Sequence, residues 1–245
     1  VNKAYSDIKY GAGIRVIKGE QTGFAYSENT SPEAMLQAAG SAANIADSNA
    51  SLSEVTISEL TPPSYYKITS PWDQVSIGDK VPFITSLNEK IFAGDKRVTR
   101  VNITMDDLTS YILFFNSEGT LTWDYRPLTY LSVRTLMEEN GRIENATVAK
   151  SFRMGYEFLT TDLVDELAGQ ALEETSQLFK AIKPNAGEME VVMGGGRSGI
   201  LLHEAMGHSF EADFNRKKTS IFSDKMGKKI GENFVTIVDD GTLPN

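Results

Sequence analysis

The chain has 245 residues, of which 40% are hydrophobic, and its formal net charge at pH 7 is −9. This length and composition allow a substantial core in one or two domains, and the acidic balance argues against a nucleic-acid binder, which needs a basic face to displace counterions from phosphates. The sequence has no cysteine, which excludes a disulfide framework and predicts a cytoplasmic location.

The N-terminal part predicts a hairpin followed by a helix. Residues 8–26 alternate glycine with β-branched and aromatic residues, which indicates two strands joined at residues 18–20. Ser31 followed by Pro32 is typical of a helix start, and we expect the helix to run to about Asp47. Polar, proline-bearing sequence then predicts a connecting loop over residues 48–71.

The central part predicts two helices that enclose antiparallel strands. Apolar spacing indicates a helix over residues 76–94 and a longer one over residues 160–182. Apolar and polar residues alternate from residue 97 to about residue 158, which predicts antiparallel strands. One of these strands is expected from Thr129 to Met137. Asn140-Gly141, which follows it, is the strongest hairpin signal in the chain.

The C-terminal part predicts short strands around another helix. Met189–Met193 is an apolar run, and glycines 194–196 lead from it into the next helix. Residues 235–238 predict a strand that enters a turn at Asp240-Gly241 without a partner strand after it. Because the sequence also opens without methionine, we expect a piece of a longer protein. No apolar run approaches membrane-spanning length, so no membrane contact is expected.

The chain has only two histidines, and a glutamate directly follows the first of them. Imidazole is the commonest protein ligand for zinc, and a carboxylate beside the metal can take a proton from bound water. We therefore predict that His203 and His208 are metal ligands and that Glu204 is a catalytic base. The alternative is one buried and one surface histidine without metal, with Glu204 as a solvated helix carboxylate.

The spacing of the two histidines requires an irregular helix. Positions i and i+5 of a straight α-helix lie about 140° apart around the axis, so the two rings could not face one ion. A π-bulge or a kink would restore a shared face, and Gly207 is where such a distortion would cost least. We expect the irregularity between Glu204 and His208.

Charged residues follow the histidine pair. Glu211 and Asp213 could supply a third ligand, hydrogen-bond a histidine, or lie on the surface as solvated carboxylates. A basic cluster comes next and could steer an acidic peptide or its carboxylate terminus, although such a run is usually a solvated loop. Its members are Arg216, Lys217, Lys218, Lys225, Lys228 and Lys229.

The stretch from Gly194 to Phe222 resembles the TldD/PmbA family of metallopeptidases, and its TldD-like branch specifically. The matching segments are residues 201–208, 211–217 and 219–222, with further likeness at 13–16, 23–26 and 238–242. The PmbA-like branch typically lacks the H-E-x-x-x-H element. The presence of that element here therefore favours the catalytic branch.

The resemblance implies a zinc-dependent peptidase that acts on unstructured peptides inside a closed chamber. Family members pair a TldD-like subunit with a PmbA-like (TldE) subunit or form homodimers, and they have also been labelled modulators of DNA gyrase. Their metal is held by the two motif histidines and a cysteine from the C-terminal part. His203 and His208 carry over as ligands and Glu204 as the base, whereas the cysteine has no counterpart in this sequence.

We therefore expect an α+β fold of curved antiparallel sheet with packed helices. Residues 1–185 are expected to form an N-terminal α+β domain, and residues 186–245 to open a truncated metallopeptidase domain. The expected partners are a peptide substrate and a second subunit, in a homodimer or in a heterodimer with a PmbA/TldE-like chain, without direct contact to nucleic acid. Two alternatives stay open, namely a non-catalytic interaction subunit without metal and a different metal hydrolase, such as an amidase of small substrates.

Overall fold

The computed structural model describes residues 3–49, 54–66, 68–196, 198–240 and 242. The chain divides into two compact units between residues 180 and 181. The strands are β1 (Ala12–Lys18), β2 (Gln21–Ser27), β3 (Ser58–Leu60), β4 (Val98–Phe115), β5 (Thr120–Glu139) and β6 (Arg142–Phe152). The α-helices are α1 (Pro32–Ile45), α2 (Ile77–Gly94), α3 (Thr161–Leu178), α4 (Ser198–Ala205) and α5 (Ala212–Arg216). This mixture of helices and small sheets confirms the α+β class.

The predicted N-terminal hairpin and helix are both present, and α1 packs on the hairpin. β1 and β2 pair antiparallel from Ala12↔Ser27 to Lys18↔Gln21. The Ser31 hydroxyl accepts the backbone N–H of Ala34 and caps α1. The contact between β2 and α1 is close at Gly23, where a Cβ atom would lie 1.8 Å from the carbonyl oxygen of Ala42. Only glycine allows the strand backbone to approach the helix this closely.

The main sheet has β5 at its centre, with β4 on one side and β6 and β3 on the other. β4 pairs antiparallel with β5 down to Phe115↔Leu121, and β6 pairs antiparallel with β5 from Thr129↔Phe152. Asn140 (φ 53°) and Gly141 (φ 79°) join β5 to β6 in left-handed conformations. The expected hairpin is therefore confirmed, because a two-residue turn of this kind requires positive φ at both positions.

The core of the first unit lies between the sheet and the pair of helices α2 and α3, which pack against each other and against one sheet face. Alternation along β5 places Leu131, Val133 and Met137 inward, while Tyr130, Arg134 and Glu138 are exposed. The fully buried aliphatic side chains of this core are Leu87, Ile91, Leu131, Val133, Met137 and Leu167. The period of two in β5 thus matches a sheet that is covered on one face.

Some sequence-based predictions are wrong in extent or in kind. α3 ends at Leu178, four residues before the predicted end. Residues 189–193 and 235–238 are not strands, because an isolated extended run finds no ladder partner in the part of the chain that the structure describes. Of the turn predicted at Asp240-Gly241, Gly241 lies outside the described residues. Among the helices of the described residues, none is long and apolar enough to cross a bilayer.

The contact between β2 and α1 predicts opposite effects for two glycine substitutions. Gly23→Ala is expected to destabilise the chain by roughly 1–3 kcal/mol, because the added methyl group overlaps the Ala42 carbonyl. Gly40→Ala, in the middle of α1, adds a methyl group that meets no atom within 4 Å. It is expected to stabilise the chain by up to about 1 kcal/mol through helix propensity. Urea unfolding measures the free energy of unfolding of both variants. Equal changes in the two variants would contradict the close packing of β2 against α1.

Candidate metal centre

The backbone between the two histidines is irregular, as expected from their spacing. α4 ends at Ala205, and a 3-10 turn follows over Gly207–Phe210. Met206 joins the two with φ −133° and ψ −39°, outside the α-helical region. The irregularity is therefore a helix end and a tighter turn, and it lies one residue before Gly207. It is not the π-bulge that the spacing also allowed.

The break brings the two imidazole rings together. Their centroids lie 4.5 Å apart, with the ring planes inclined by 68°. His203, Glu204 and His208 each offer one ligand atom, and these atoms lie within 4.8 Å of one another. Ligand atoms around one zinc ion are about 3–4 Å apart, since each lies about 2.1 Å from the metal. The spacing of up to 4.8 Å is therefore wider than that around one bound zinc ion, and all three side chains are exposed.

Gly207 has a different role from the one expected. A Cβ atom at this position would lie 3.3 Å from Nδ1 of His203, which is closer than an ordinary van der Waals contact. The glycine therefore lets the 3-10 turn approach the His203 ring. The same turn carries His208, whose ring centroid lies 4.5 Å from that of His203.

Two carboxylates flank His208 on opposite ring nitrogens. Its Nδ1 lies 2.7 Å from Oε1 of Glu211, and its Nε2 lies 3.6 Å from Oε2 of Glu204. The hydrogen bond to Glu211 raises the pKa of His208 above its ordinary value. The negative charges of Glu211 and Glu204 raise the pKa further, whereas partial burial of the ring lowers it. Of the roles that the sequence left open for Glu211, the structure shows the hydrogen bond to a histidine.

The turn that carries His208 is fastened by residues that the sequence analysis did not single out. The side-chain amide of Asn215 donates to the carbonyl oxygens of Ser209 and Glu211, both at 2.9 Å. The Ser220 hydroxyl donates to the same Ser209 carbonyl at 2.6 Å. The rings of Phe210 and Phe222 stack with centroids 4.8 Å apart. These side chains lie in the stretch that carries the family resemblance, which was the available signal for them.

The donor set suits a zinc ion. Imidazole nitrogen and carboxylate oxygen are both common zinc ligands. The hydrogen bond from Nδ1 of His208 to Glu211 leaves Nε2 as the nitrogen that can bind a metal, and it fixes the orientation of the ring. Asp213 lies in α5, and among the described residues it forms no hydrogen bond to either histidine. The site is open to solvent in this chain.

Three family models match successive parts of the chain. All three describe PmbA/TldA metallopeptidases: domain 1 matches residues 1–46, the central domain matches residues 70–179, and the C-terminal domain matches residues 186–245. A protein of Haemophilus influenzae named metalloprotease TldD homolog is 34% identical over 245 residues. That alignment covers 97% of this chain and 51% of the relative.

Two solved structures share the fold. A putative modulator of DNA gyrase from Bacteroides thetaiotaomicron superposes with a TM-score of 0.64 at 14% identity, over 91% of this chain and 51% of the other. TldE from Thermococcus kodakarensis superposes with a TM-score of 0.57 at 17% identity, over 86% and 47%. The chain spans about half the length of the relatives that it matches. By the family models and the sequence identity, the chain belongs to the PmbA/TldD family of metallopeptidases.

Proposed function

We propose that the chain is part of a zinc-dependent peptidase of the TldD-like branch, which hydrolyses unstructured peptides. The observation that carries this proposal is the convergence of His203, Glu204 and His208 on one small exposed site. The name of the Haemophilus influenzae relative, a metalloprotease, supports the same activity. The proposal has two further parts. Residues 1–185 form an N-terminal domain, and residues 186–245 form the first part of the metallopeptidase domain. The protein is located in the cytoplasm.

In this proposal each residue of the centre has a separate task. His203 and His208 hold the metal, and Glu211 keeps the His208 ring in the orientation that presents Nε2. Bound zinc supplies Lewis acidity, which lowers the pKa of water and polarises the scissile carbonyl. Glu204, whose carboxylate lies 3.6 Å from Nε2 of His208, accepts a proton from the attacking water and donates it to the leaving amine.

Two features of the proposal extend beyond these residues. The sequence has no cysteine, so a cysteine ligand of the kind that the family resemblance implies has to come from outside these 245 residues. The proposed partner is a PmbA/TldE-like subunit or a second copy of the chain. Assembly with a partner would also explain how a centre that is exposed in this chain becomes part of a closed chamber.

Metal content separates the peptidase from the non-catalytic alternative. The whole protein is expected to bind zinc stoichiometrically, and His203→Ala is expected to lose it, because the remaining side chains do not form a tight site. Glu211→Gln is expected to weaken zinc binding by about 10–100-fold, since it removes the partner that orients His208. Elemental analysis and chelator competition measure both. Zinc that stays unchanged in His203→Ala would place the metal elsewhere.

The role of Glu204 is tested by Glu204→Gln in the whole protein. This change keeps the size of the side chain but removes the base, so peptide hydrolysis is expected to fall by about 10²–10⁴-fold while zinc is retained. Glu188→Gln, at an exposed position of the same unit, is the matched control and is expected to leave hydrolysis unchanged. Activity near wild type in Glu204→Gln would remove this residue from the role of base.

Protons compete with zinc for His208. Because its pKa is raised, the ring stays protonated to higher pH than an ordinary histidine. Zinc affinity is therefore expected to fall as the pH decreases through this raised pKa. In the metal-free chain, Glu211→Gln is expected to lower the pKa of His208 as measured by NMR titration, whereas Asp213→Asn serves as the control. An identical His208 titration in Glu211→Gln would contradict the hydrogen bond.

A further inference from the structure

Basic residues are concentrated directly after the candidate metal centre. Of the 24 lysines and arginines in the chain, six lie in residues 216–229, which we call the basic segment. The segment has one acidic residue, Asp224, so its formal charge is +5 in a chain whose net charge is −9. The sign of the charge therefore reverses locally, within 21 positions after His208.

The basic segment is held against the turn that carries His208. The Ser220 hydroxyl donates to the carbonyl oxygen of Ser209, and the Phe222 ring stacks on Phe210. Asn215, which directly precedes the segment, donates to the carbonyl oxygens of Ser209 and Glu211. Side-chain contacts therefore hold the first half of the basic segment against the turn that carries His208.

Four lysines of the basic segment have no ion-pair partner among the residues that the structure describes. Lys217, Lys218, Lys225 and Lys228 are exposed, and none of them makes an ion pair with a described residue. Lys229 lies 3.9 Å from Glu232, at the outer limit of an ion pair. Unpaired cations on one side of a site attract anionic ligands and raise their local concentration.

Lys218 occupies a backbone conformation that favours glycine. Its φ is +57°, directly after the end of α5, and the N–H of the next residue, Thr219, donates to the Phe214 carbonyl at 3.0 Å. Glycine is the usual residue at this left-handed position after a helix. A lysine there costs backbone strain, and strain of this kind is concentrated at functional positions.

We propose that the basic segment is an anion-binding subsite, and that the preferred substrates are unstructured peptides with aspartate and glutamate residues near the cleaved bond. This inference rests on the proposed peptidase function and names its substrate class. The acidic remainder of the chain would repel such peptides, whereas the basic segment attracts them to the centre. The proposed peptidase centre next to the segment favours a peptide over a nucleic acid as the ligand.

The test compares peptides that share one central sequence and differ in flanks of aspartate, serine or lysine. With zinc-loaded whole protein, kcat/KM is expected to be highest for the aspartate peptide, through a lower KM. The preference is expected to shrink as salt rises from 0.05 to 0.5 M, about the range over which the screening length falls below 10 Å. Equal kcat/KM values for the aspartate and serine peptides would overturn the inference and leave the peptidase proposal intact.

Three variants locate the preference. Lys217→Glu/Lys218→Glu is expected to lower the aspartate-to-serine ratio of kcat/KM by about fivefold or more, a reasonable effect for exposed charges. Lys96→Glu, a charge reversal at an exposed position of the other unit, is expected to keep the ratio. Lys218→Gly removes one charge and also relieves the backbone strain, so it is not expected to lower thermal stability. A lower aspartate-to-serine ratio of kcat/KM in this variant would therefore report on peptide recognition and not on folding. An unchanged ratio in all variants would contradict the inference.

Binding provides a readout that does not depend on hydrolysis. Zinc-loaded Glu204→Gln protein is expected to bind the fluorescent aspartate peptide more tightly than the serine peptide in an anisotropy titration. If no peptide is cleaved by wild type but this difference in binding persists, the peptidase proposal fails and the subsite stands. If a short single-stranded oligonucleotide competes as well as the aspartate peptide at 0.15 M salt, the subsite recognises nucleic acid and the inference is wrong.

Discussion

A straight α-helix through Met206 would hold the two histidines about 140° apart around its axis. The helix instead ends at Ala205 and continues as a 3-10 turn, and the ring centroids lie 4.5 Å apart. The approach of the turn to His203 depends on this break, and Gly207 allows it. Glu204 lies four residues before His208, a spacing that brings side chains together along a helix, and its Oε2 lies 3.6 Å from Nε2 of His208.

Local signals in the sequence predicted much of the fold. The cap at Ser31 and the Asn140-Gly141 turn were predicted because their chemistry acts within a few residues. β3 was not predicted, and the strand predicted at 189–193 does not form, because a strand depends on a partner that is distant in sequence. The length of β5 has the same cause. The sequence predicted a strand from Thr129 to Met137, whereas β5 runs from Thr120 to Glu139, because β4 pairs with it along the added stretch.

The candidate site was predictable in its residues and less so in its geometry. Two histidines and one glutamate with this spacing already required an irregular helix, and the structure contains one. The position of the break and its type depend on how the following turn is held, which involves Asn215 and Ser220. Glu211 was one of several candidate partners, and only coordinates distinguish a hydrogen bond to His208 from a solvated carboxylate.

Charge is arranged in two zones around His208. Glu204 and Glu211 form an inner acidic pair that favours a cation at the imidazoles. The basic segment that follows is the anion-binding subsite in our proposal. A peptidase that binds both a metal and an acidic peptide requires such an arrangement, because opposite charges have to be recognised a short distance apart.

X-ray absorption spectroscopy of the zinc-loaded whole protein tests the central claim most directly, because it counts the imidazole ligands of the metal. Convergence of His203 and His208 predicts two imidazole nitrogens at about 2.0–2.1 Å from zinc. A spectrum without imidazole scattering, or one that is the same in His203→Ala and His208→Ala as in wild type, would contradict the account.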